Sequence, residues 1–293
     1  MANSFVDPKL ASATSLELIK ADLVLGRTVF RDAERDFGGK VGDTVTVRRP
    51  NRRSARELIR GSNTVTLDDI DNDGVAVKLD HHLYNGAAVT DEEMTLTIED
   101  FAAEVIGPIA GAVAEGIEGT LVDTMQTVSD NATVDAVAED GSNVKEVFTS
   151  ARKLLRDAMA PANGLYAACG TGVYASVLSS DNVTRVDASG SNDALRRASV
   201  GLLFGFTVLE SNLLEEDEVV FYHRDAFSLA VRAPIVPDGV AWGSSVAEGG
   251  YGLRFIKDYD ATTLSDRVIG SVFAGAEVLT ANWVIRNEGL VSS

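Results

Sequence analysis

The sequence predicts an α+β fold, and three observations carry the prediction. Residues 97–127 repeat apolar side chains at helical spacing over an unusual length. Short stretches before and after alternate apolar and polar residues, as Val45 and Val47 do in GDTVTVRRP, which is the pattern of half-buried strands. The helical and strand segments follow one another with no internal repeat and no low-complexity tract.

The stretch 97–127 reads as one helix, roughly 45 Å long at about 1.5 Å per residue. Ile98, Phe101, Val105, Ile109, Val113, Ile117, Leu121 and Met125 form a single stripe. Thr97 and Asp100 make an N-terminal capping pair. The Gly107-Pro108 pair is expected to bend the helix, because proline removes a backbone hydrogen bond and crowds the preceding turn. Gly111, Gly116 and Gly119 leave flat spots for a neighbouring backbone. Glu99, Asp100, Glu104, Glu115, Glu118 and Asp123 are expected to face away from the stripe. A helix this long needs an extended partner surface, and residues 267–278 are the expected one.

The chain of 293 residues, 45% hydrophobic and 24% charged, has room for one large domain or two modest ones. No run is expected to approach a membrane span, and no signal peptide opens the chain. One cysteine excludes an internal disulfide, and with three histidines it leaves little material for a metal site or a nucleophilic triad. A net charge of −18 argues against general nucleic-acid binding.

Charge is unevenly placed. Between Lys78 and Lys145 there is no lysine or arginine, and that gap holds fourteen acids. From Arg27 to Arg60 there are ten basic residues against five acids, among them Arg48, Arg49, Arg52, Arg53, Arg56 and Arg60. The two blocks are either solvated faces or complementary surfaces of different subunits.

Residues 14–30 read as a short amphipathic helix with an extended exit, broken by Gly38, Gly39 and Gly42. A strand at 44–50 stops at Pro50, an exposed arginine-rich loop covers 51–62, and strands at 64–67 and 74–89 flank a polar turn. Together 44–89 predict a long β-hairpin without a continuous apolar face, marginal unless packed on something else. After the long helix come a polar connector at 129–142 and a second helix at 143–159, with Val144, Val147, Phe148, Leu154, Leu155 and Met159 apolar and Pro161 beyond. A buried strand at 165–169 and a short helix at 171–178 follow. A Ser/Gly-rich junction at 181–192 precedes a helical turn capped by Ser191. Residues 201–209 are apolar, 219–221 and 226–231 are strands, and 234–250 is loop-like. Strands at 253–256, 267–278 and 283–285 close the chain.

Candidate chemistry is thin. Gly170, Gly172 and Ala175 fit the G-x-G-x-x-A dinucleotide pattern after a strand. The helix that follows is short, and DNVTRVDASGSN is not a buried second strand, so no parallel βαβ unit and no cofactor are expected. Cys169 reads as core and not as a nucleophile served by His81, His82 or His223. His81 and His82 are adjacent on a strand and point to opposite faces, so they do not converge on a metal. The arginine cluster lacks interleaved aromatics, and Trp242 and Trp283 read as packing residues. The expectation is a protein without catalytic, cofactor or metal residues. A nucleotide-binding enzyme using Gly170 to Ala175 is the remote alternative.

What is left is an N-terminal arm, a protruding hairpin, a long bent helix and a mixed remainder. The segments MANSFVDPKL, VLGRTVFRDAERDFGGKVGDTVTVRRP, VTDEEMTLTIEDFAAEVIGPIAGAVAEGIE and FIKDYDATTLSDRVIGSVFAGAEVLTANWVIRN occur in an order that resembles the major capsid (coat) proteins of tailed bacteriophages with the HK97 fold, within them the P22 coat-protein-like group. DFGGKVGDTVTVRRP before a hairpin, and TIEDF ahead of a helix-borne proline, are the more specific signals.

The resemblance implies an N-terminal arm at 1–40, an extended E-loop at 41–89 that reaches over a neighbouring subunit, and a peripheral (P) domain at 90–184 with its spine helix at 97–127. It further implies an axial (A) domain at 185–257 and C-terminal strands at 258–293 returning to the P domain. It implies self-assembly into pentamers and hexamers that form an icosahedral head around double-stranded DNA, without sequence-specific binding or membrane contact. The virion is the implied location, after assembly in the host cytoplasm, and an encapsulin-type compartment shares the fold. The interface residues expected are Arg48, Arg49, Arg52, Arg53, Arg56 and Arg60 of the E-loop, and Glu99, Glu104, Glu115 and Glu118 of the spine helix. Gly107 and Pro108 mark the bend. The 234–250 loop is too short for the inserted domain of P22-type coat proteins, so a decoration protein is a possible stabiliser. The chain reaches the arm pattern within its first residues, so a separate scaffolding protein is expected alongside a portal. The E-loop tip offers arginines, so no Lys–Asn cross-link is expected.

Overall fold

The computed structural model describes residues 23–31, 44–50, 55, 57, 67, 72–96, 101–180, 200–240, 242–248 and 251–291. Its first strands are β1 (Thr44–Pro50), β2 (Asn72–Lys78) and β3 (His81–Thr90). Helix α1 (Asp91–Leu96) follows, then a π-helical turn (Ala102–Ile106) that runs into α2 (Gly107–Gln126). Next come β4 (Val137–Ala138), α3 (Val144–Asp157), β5 (Leu165–Cys169) and α4 (Thr171–Ser179). The remaining strands are β6 (Leu202–Leu203), β7 (Phe206–Glu210), β8 (Glu218–His223), β9 (Phe227–Arg232), β10 (Trp242–Glu248), β11 (Tyr251–Asp260), β12 (Ser265–Val278), β13 (Val284–Glu288) and β14 (Leu290–Val291).

Two sheets organise these elements. The first has the order β10-β11-β12-β3, with β9 pairing the end of β12 that lies beyond β11. Helix α2 lies on it, against β12 and β3. Val105, Ile109, Val113, Ile117, Leu121 and Met125 are buried, as the stripe predicts, in one core with Val268, Val272, Leu253 and Phe255. Gly270 brings helix and sheet close, since a Cβ there would lie 2.6 Å from Ile109 Cγ2. The expected partner surface at 267–278 is therefore the observed one. By length and composition the helical stretch Ala103–Gln126 could cross a membrane, contrary to expectation. Its apolar side is spent on this sheet instead.

The hairpin is shorter than predicted. β1 and β2 pair antiparallel from Thr44↔Lys78 to Pro50↔Asn72. The strand expected at 74–89 breaks at Leu79 and Asp80. Its second half, β3, leaves the hairpin and pairs β12 from His81↔Ala274 to Thr90↔Ser265. The chain crosses close over β12 at the break, where a Cβ on Gly275 would sit 1.8 Å from the Lys78 carbonyl oxygen. Val45 and Val77 bury against Ala230 and Leu279, so the base of the hairpin rests on its own subunit. The strand expected at 64–67 lies, except for exposed Leu67, outside the described residues.

The second sheet has the order β13-β8-β5-β7-β6. Its core is built on Phe148 of α3, edge-on to Phe221 at 5.0 Å and to Phe206 at 5.9 Å. This sheet unites β5 with β7 and β8, across the boundary expected at 184/185, and adds β13 from the C-terminal segment. Helix α3 ends earlier than predicted. Met159 is exposed and left-handed, with φ 63°, and Ala160 N–H closes on the Leu155 carbonyl at 2.9 Å.

Two further expectations fail. Residues 234–250 are not wholly loop, because β10 pairs β11 from Trp242↔Lys257 to Glu248↔Tyr251. Its buried position includes Ser244, so the apolar alternation that would have revealed it is missing. β5 and β7 run parallel with the glycine motif and α4 between them in the chain, so a parallel strand–helix–strand unit is present, its second strand much further along the chain than expected.

Residues 23–31 hold the end of the stretch expected as a short helix with an extended exit. They form a 3-10 turn (Leu25–Arg27) and an extended run, with Leu23, Leu25 and Val29 fully buried in the first core. Residues 14–22, where that short helix is expected to begin, lie outside the described residues.

Candidate functional site

The candidate surface is the solvent side of α1 and α2 together with the hairpin. Helix α2 exposes Glu115 and Asp123, and the π turn ahead of it exposes Glu104. Asp91, Glu92 and Glu93 on the exposed side of α1 add to the same charge. Glu93 takes N–H and hydroxyl hydrogen bonds from Thr90, at 2.9 and 2.8 Å, in a capping box that starts α1. Those bonds hold its carboxyl below the usual range. Arg48 on β1 is exposed. The side chains of Arg49, Arg52, Arg53, Arg56 and Arg60 lie outside the described residues, as do Glu99 and the Thr97–Asp100 cap.

Glu118 does not belong to the acidic surface. It is only 7% exposed and turns into the subunit, where its Oε1 accepts backbone N–H groups from Val24, Leu25 (2.6 Å) and Gly26 (3.4 Å). The helical spacing that seemed to place it outward ignored a third segment, which covers that flank of the helix.

Gly107 and Pro108 stand where the π turn changes to α-helix, with Pro108 exposed in the first turn of α2. Proline brings no N–H to the ladder, and the wider π turn ahead of it absorbs the gap. Of the flat spots, Gly116 receives Leu83 of β3, 3.2 Å from where a Cβ would stand, and Gly119 has nothing within 4 Å.

The enzymatic candidates are closed by their surroundings. The Gly170 N–H donates to the Glu218 carbonyl at 2.8 Å, and those of Gly172 and Val173 donate to the Glu216 carbonyl at 3.0 and 3.1 Å. A Cβ at Gly170 would lie 1.8 Å from the Glu215 carbonyl oxygen. These glycines admit a turn of their own chain where a pyrophosphate would need to sit. Cys169 is fully buried, and burial pushes its thiol up to about 12. Leu165 pairs His223, so Cys169 and His223 stand at opposite ends of the paired strands. His82 stacks on Phe273 at 4.4 Å while His81 lies 3.4 Å from Asp80, so the two imidazoles diverge. Among the described residues no cluster of three or more His, Cys, Asp or Glu could hold a metal.

One polar centre had no sequence signal. Glu218 on β8 and Arg286 on β13 are 68 residues apart and meet at 2.6 Å. Gln126, the last residue of α2, donates to the other Glu218 oxygen at 2.9 Å. Arg286 also bonds Glu288 and reaches the Val128 carbonyl at 3.4 Å. The end of the long helix is thereby tied to the second sheet.

A long helix on a sheet, a two-stranded hairpin and a second α/β unit make up an α+β fold that matches phage capsid structures, consistent with the HK97 type. No family model and no curated protein matches the chain. Solved structures do. One from Mycobacterium phage Che8 is 20% identical, with a TM-score of 0.71 over 90% of each chain. The capsid of Ralstonia phage GP4 is 10% identical, with a TM-score of 0.60 over 91% of this chain and 88% of that one. A virus-like particle from Pyrococcus furiosus is 11% identical, with a TM-score of 0.54 over 96% of this chain and 98% of that one.

Proposed function

We propose that the chain is a structural shell protein, the major capsid protein of a tailed phage. The supporting observation is a fold shared along nearly the whole length of phage capsid chains, not in one domain of them. The subunit would assemble into pentamers and hexamers that close as an icosahedral head around double-stranded DNA. Its N-terminal, spine and C-terminal segments are those that resemble the P22-like group. The virion is the proposed location, with assembly in the host cytoplasm alongside a scaffolding protein, a portal and possible decoration proteins. In domain terms, the hairpin acts as E-loop, the first sheet with α2 as P domain, and the second sheet as the main body of the A domain.

The arginine-rich 48–60 segment of one subunit lies on the acidic α1–α2 surface of the next. Glu104 and Glu115 remain in this proposal, joined by Asp91, Glu92 and Asp123, and Glu118 leaves it. Exposed pairs contribute only about 0–1 kcal/mol each, so they set register and steer docking more than they add stability. Many weak contacts are multiplied by closure. The Gly107-Pro108 junction is where the helix adjusts to shell curvature. A triple Arg52→Glu, Arg53→Glu and Arg56→Glu variant should fold and fail to form shells, and normal shells from it would defeat the interface.

A cargo compartment is the second reading, favoured by the likeness to the Pyrococcus particle over almost all of both chains. Purified particles from the native source separate the two. A head carries nuclease-protected double-stranded DNA, and a compartment carries a protein cargo and no genome.

A further inference from the structure

The turn between α3 and β5 carries one of the chain's two Asn–Gly dipeptides, Asn163-Gly164, and the other is Asn85-Gly86 on β3. All four residues are exposed. Their surroundings differ. Asn85 and Gly86 are held extended in the ladder with β12, opposite Gly270 and Ile269. At the turn, Leu165 pairs His223, which brings the buried His223 ring beside the Asn163–Gly164 peptide. His223 Nδ1 accepts the Asp225 N–H at 3.1 Å, so the ring hydrogen sits on Nε2. From there it donates to the Asn163 carbonyl at 3.0 Å. The Asp225 carboxylate, 3.8 Å from Nδ1, does not remove this donor, since a protonated ring keeps its Nε2 hydrogen.

Gly164 is what lets the ring come this close. Its φ is 79°, and a Cβ there would stand 3.5 Å from His223 Nε2. Trp283, edge-on at 5.2 Å, packs against the same ring. The Gly164 carbonyl is tethered as well, by the Arg224 N–H at 2.9 Å. Between the two tethered carbonyls, the Gly164 N–H meets no acceptor among the described residues. A peptide nitrogen that loses its proton spreads the charge onto the carbonyl oxygen of the same peptide. Here that oxygen is the Asn163 carbonyl, and His223 already aims a fixed donor at it. A donor placed where charge develops lowers the barrier to forming that charge.

We propose that Asn163 is a self-modification site: with His223 assisting, the Gly164 nitrogen cyclises onto the Asn163 side chain and converts its amide to an acid. Solvent hydroxide takes the Gly164 amide proton, and the nitrogen attacks Asn163 Cγ to form the new N–C bond. The Cγ–Nδ2 bond breaks, and the nitrogen leaves as ammonia with a proton returned from water. Water then adds to either carbonyl of the succinimide ring and opens it to aspartate or isoaspartate. Asn163 is exposed, so solvent supplies the water and carries the ammonia away. The product places a new negative charge on the α3–β5 turn, and the isoaspartate form also lengthens the turn by one backbone carbon. The reaction belongs to the subunit and does not rest on the shell assignment.

Peptide mapping by mass spectrometry tests this on purified wild type and His223→Phe, each incubated at pH 8 folded and in denaturant. In the folded wild type, Asn163 should convert to aspartate and isoaspartate faster than Asn85, which serves as the control in the same chain. His223→Phe keeps an aromatic ring against Trp283 and removes the donor. It should slow conversion of folded Asn163 by about tenfold or more and leave Asn85 unchanged. A turn merely loosened by the substitution would cyclise faster, so slowing separates the donor from a packing role. In denaturant the substitution should have no effect. Folded wild-type Asn163 converting no faster than Asn85, or an undiminished Asn163 rate in folded His223→Phe, overturns the proposal. The first comparison needs no variant and stands even if the phenylalanine form fails to fold.

Discussion

Replacing Arg286 by methionine should be among the most damaging single changes in the subunit. The Glu218 side chain has no exposed surface and that of Arg286 only 12%, so the pair at 2.6 Å is shielded from water. Methionine is apolar and unbranched, so it fills much of the arginine's path, but it removes every bond the guanidinium makes to Glu218, Glu288 and the Val128 carbonyl. Removing one partner of a buried pair costs about 3–5 kcal/mol, because the remaining charge stays buried without compensation. Glu218 would retain the Gln126 amide at 2.9 Å and the Glu215 N–H at 3.3 Å, which places the expected loss near the lower end, about 3 kcal/mol. That is a large share of the roughly 5–15 kcal/mol by which domains are stable. Adding Glu218→Gln removes the stranded charge, and the double variant should recover all but about 1 kcal/mol. Urea unfolding of the unassembled subunit, followed by circular dichroism, reads both numbers. The reasoning is refuted if Arg286→Met loses less than about 1 kcal/mol, or if the double variant is less stable than the single one.

Three other outcomes follow from separate parts of the fold. Gly275→Ala forces a Cβ to within 1.8 Å of the Lys78 carbonyl oxygen, so it should cost at least about 1–3 kcal/mol and raise hydrogen exchange at the base of the β1–β2 hairpin. Cys169, its thiol pushed up to about 12 by burial, should resist a thiol reagent at pH 8 and react fully in denaturant. Met159→Gly relieves a left-handed residue at the exit of α3, where φ is 63°, and should raise the unfolding midpoint by the equivalent of about 0.5–1 kcal/mol.

The parts of this fold that sequence revealed are those with local periodicity. The stripe from Val105 to Met125 and the apolar face of α3 both stand where spacing put them, since a helix meeting a core must repeat its apolar residues. β10 escaped because Ser244 takes an inward place that an aliphatic residue would have advertised. The break between β2 and β3 escaped because it depends on a crossing over Gly275, nearly two hundred residues away. Glu118 shows the limit most sharply. Periodicity correctly placed it off the main stripe, and only the segment 23–31 reveals that this flank is also interior. The Glu218–Arg286 pair was illegible for the same reason, as it joins strands brought together by topology alone. Within the candidate surface, charge blocks located the acidic side of α1 and α2, and burial then decided which acids belong to it.

Electron microscopy of the purified, concentrated protein tests the central claim most directly. A shell subunit is expected to yield closed, uniform particles with pentameric and hexameric clusters on their surface. A population of monomers or small discrete oligomers, unchanged by a co-expressed scaffolding protein, would contradict the assignment of this chain as a capsid shell.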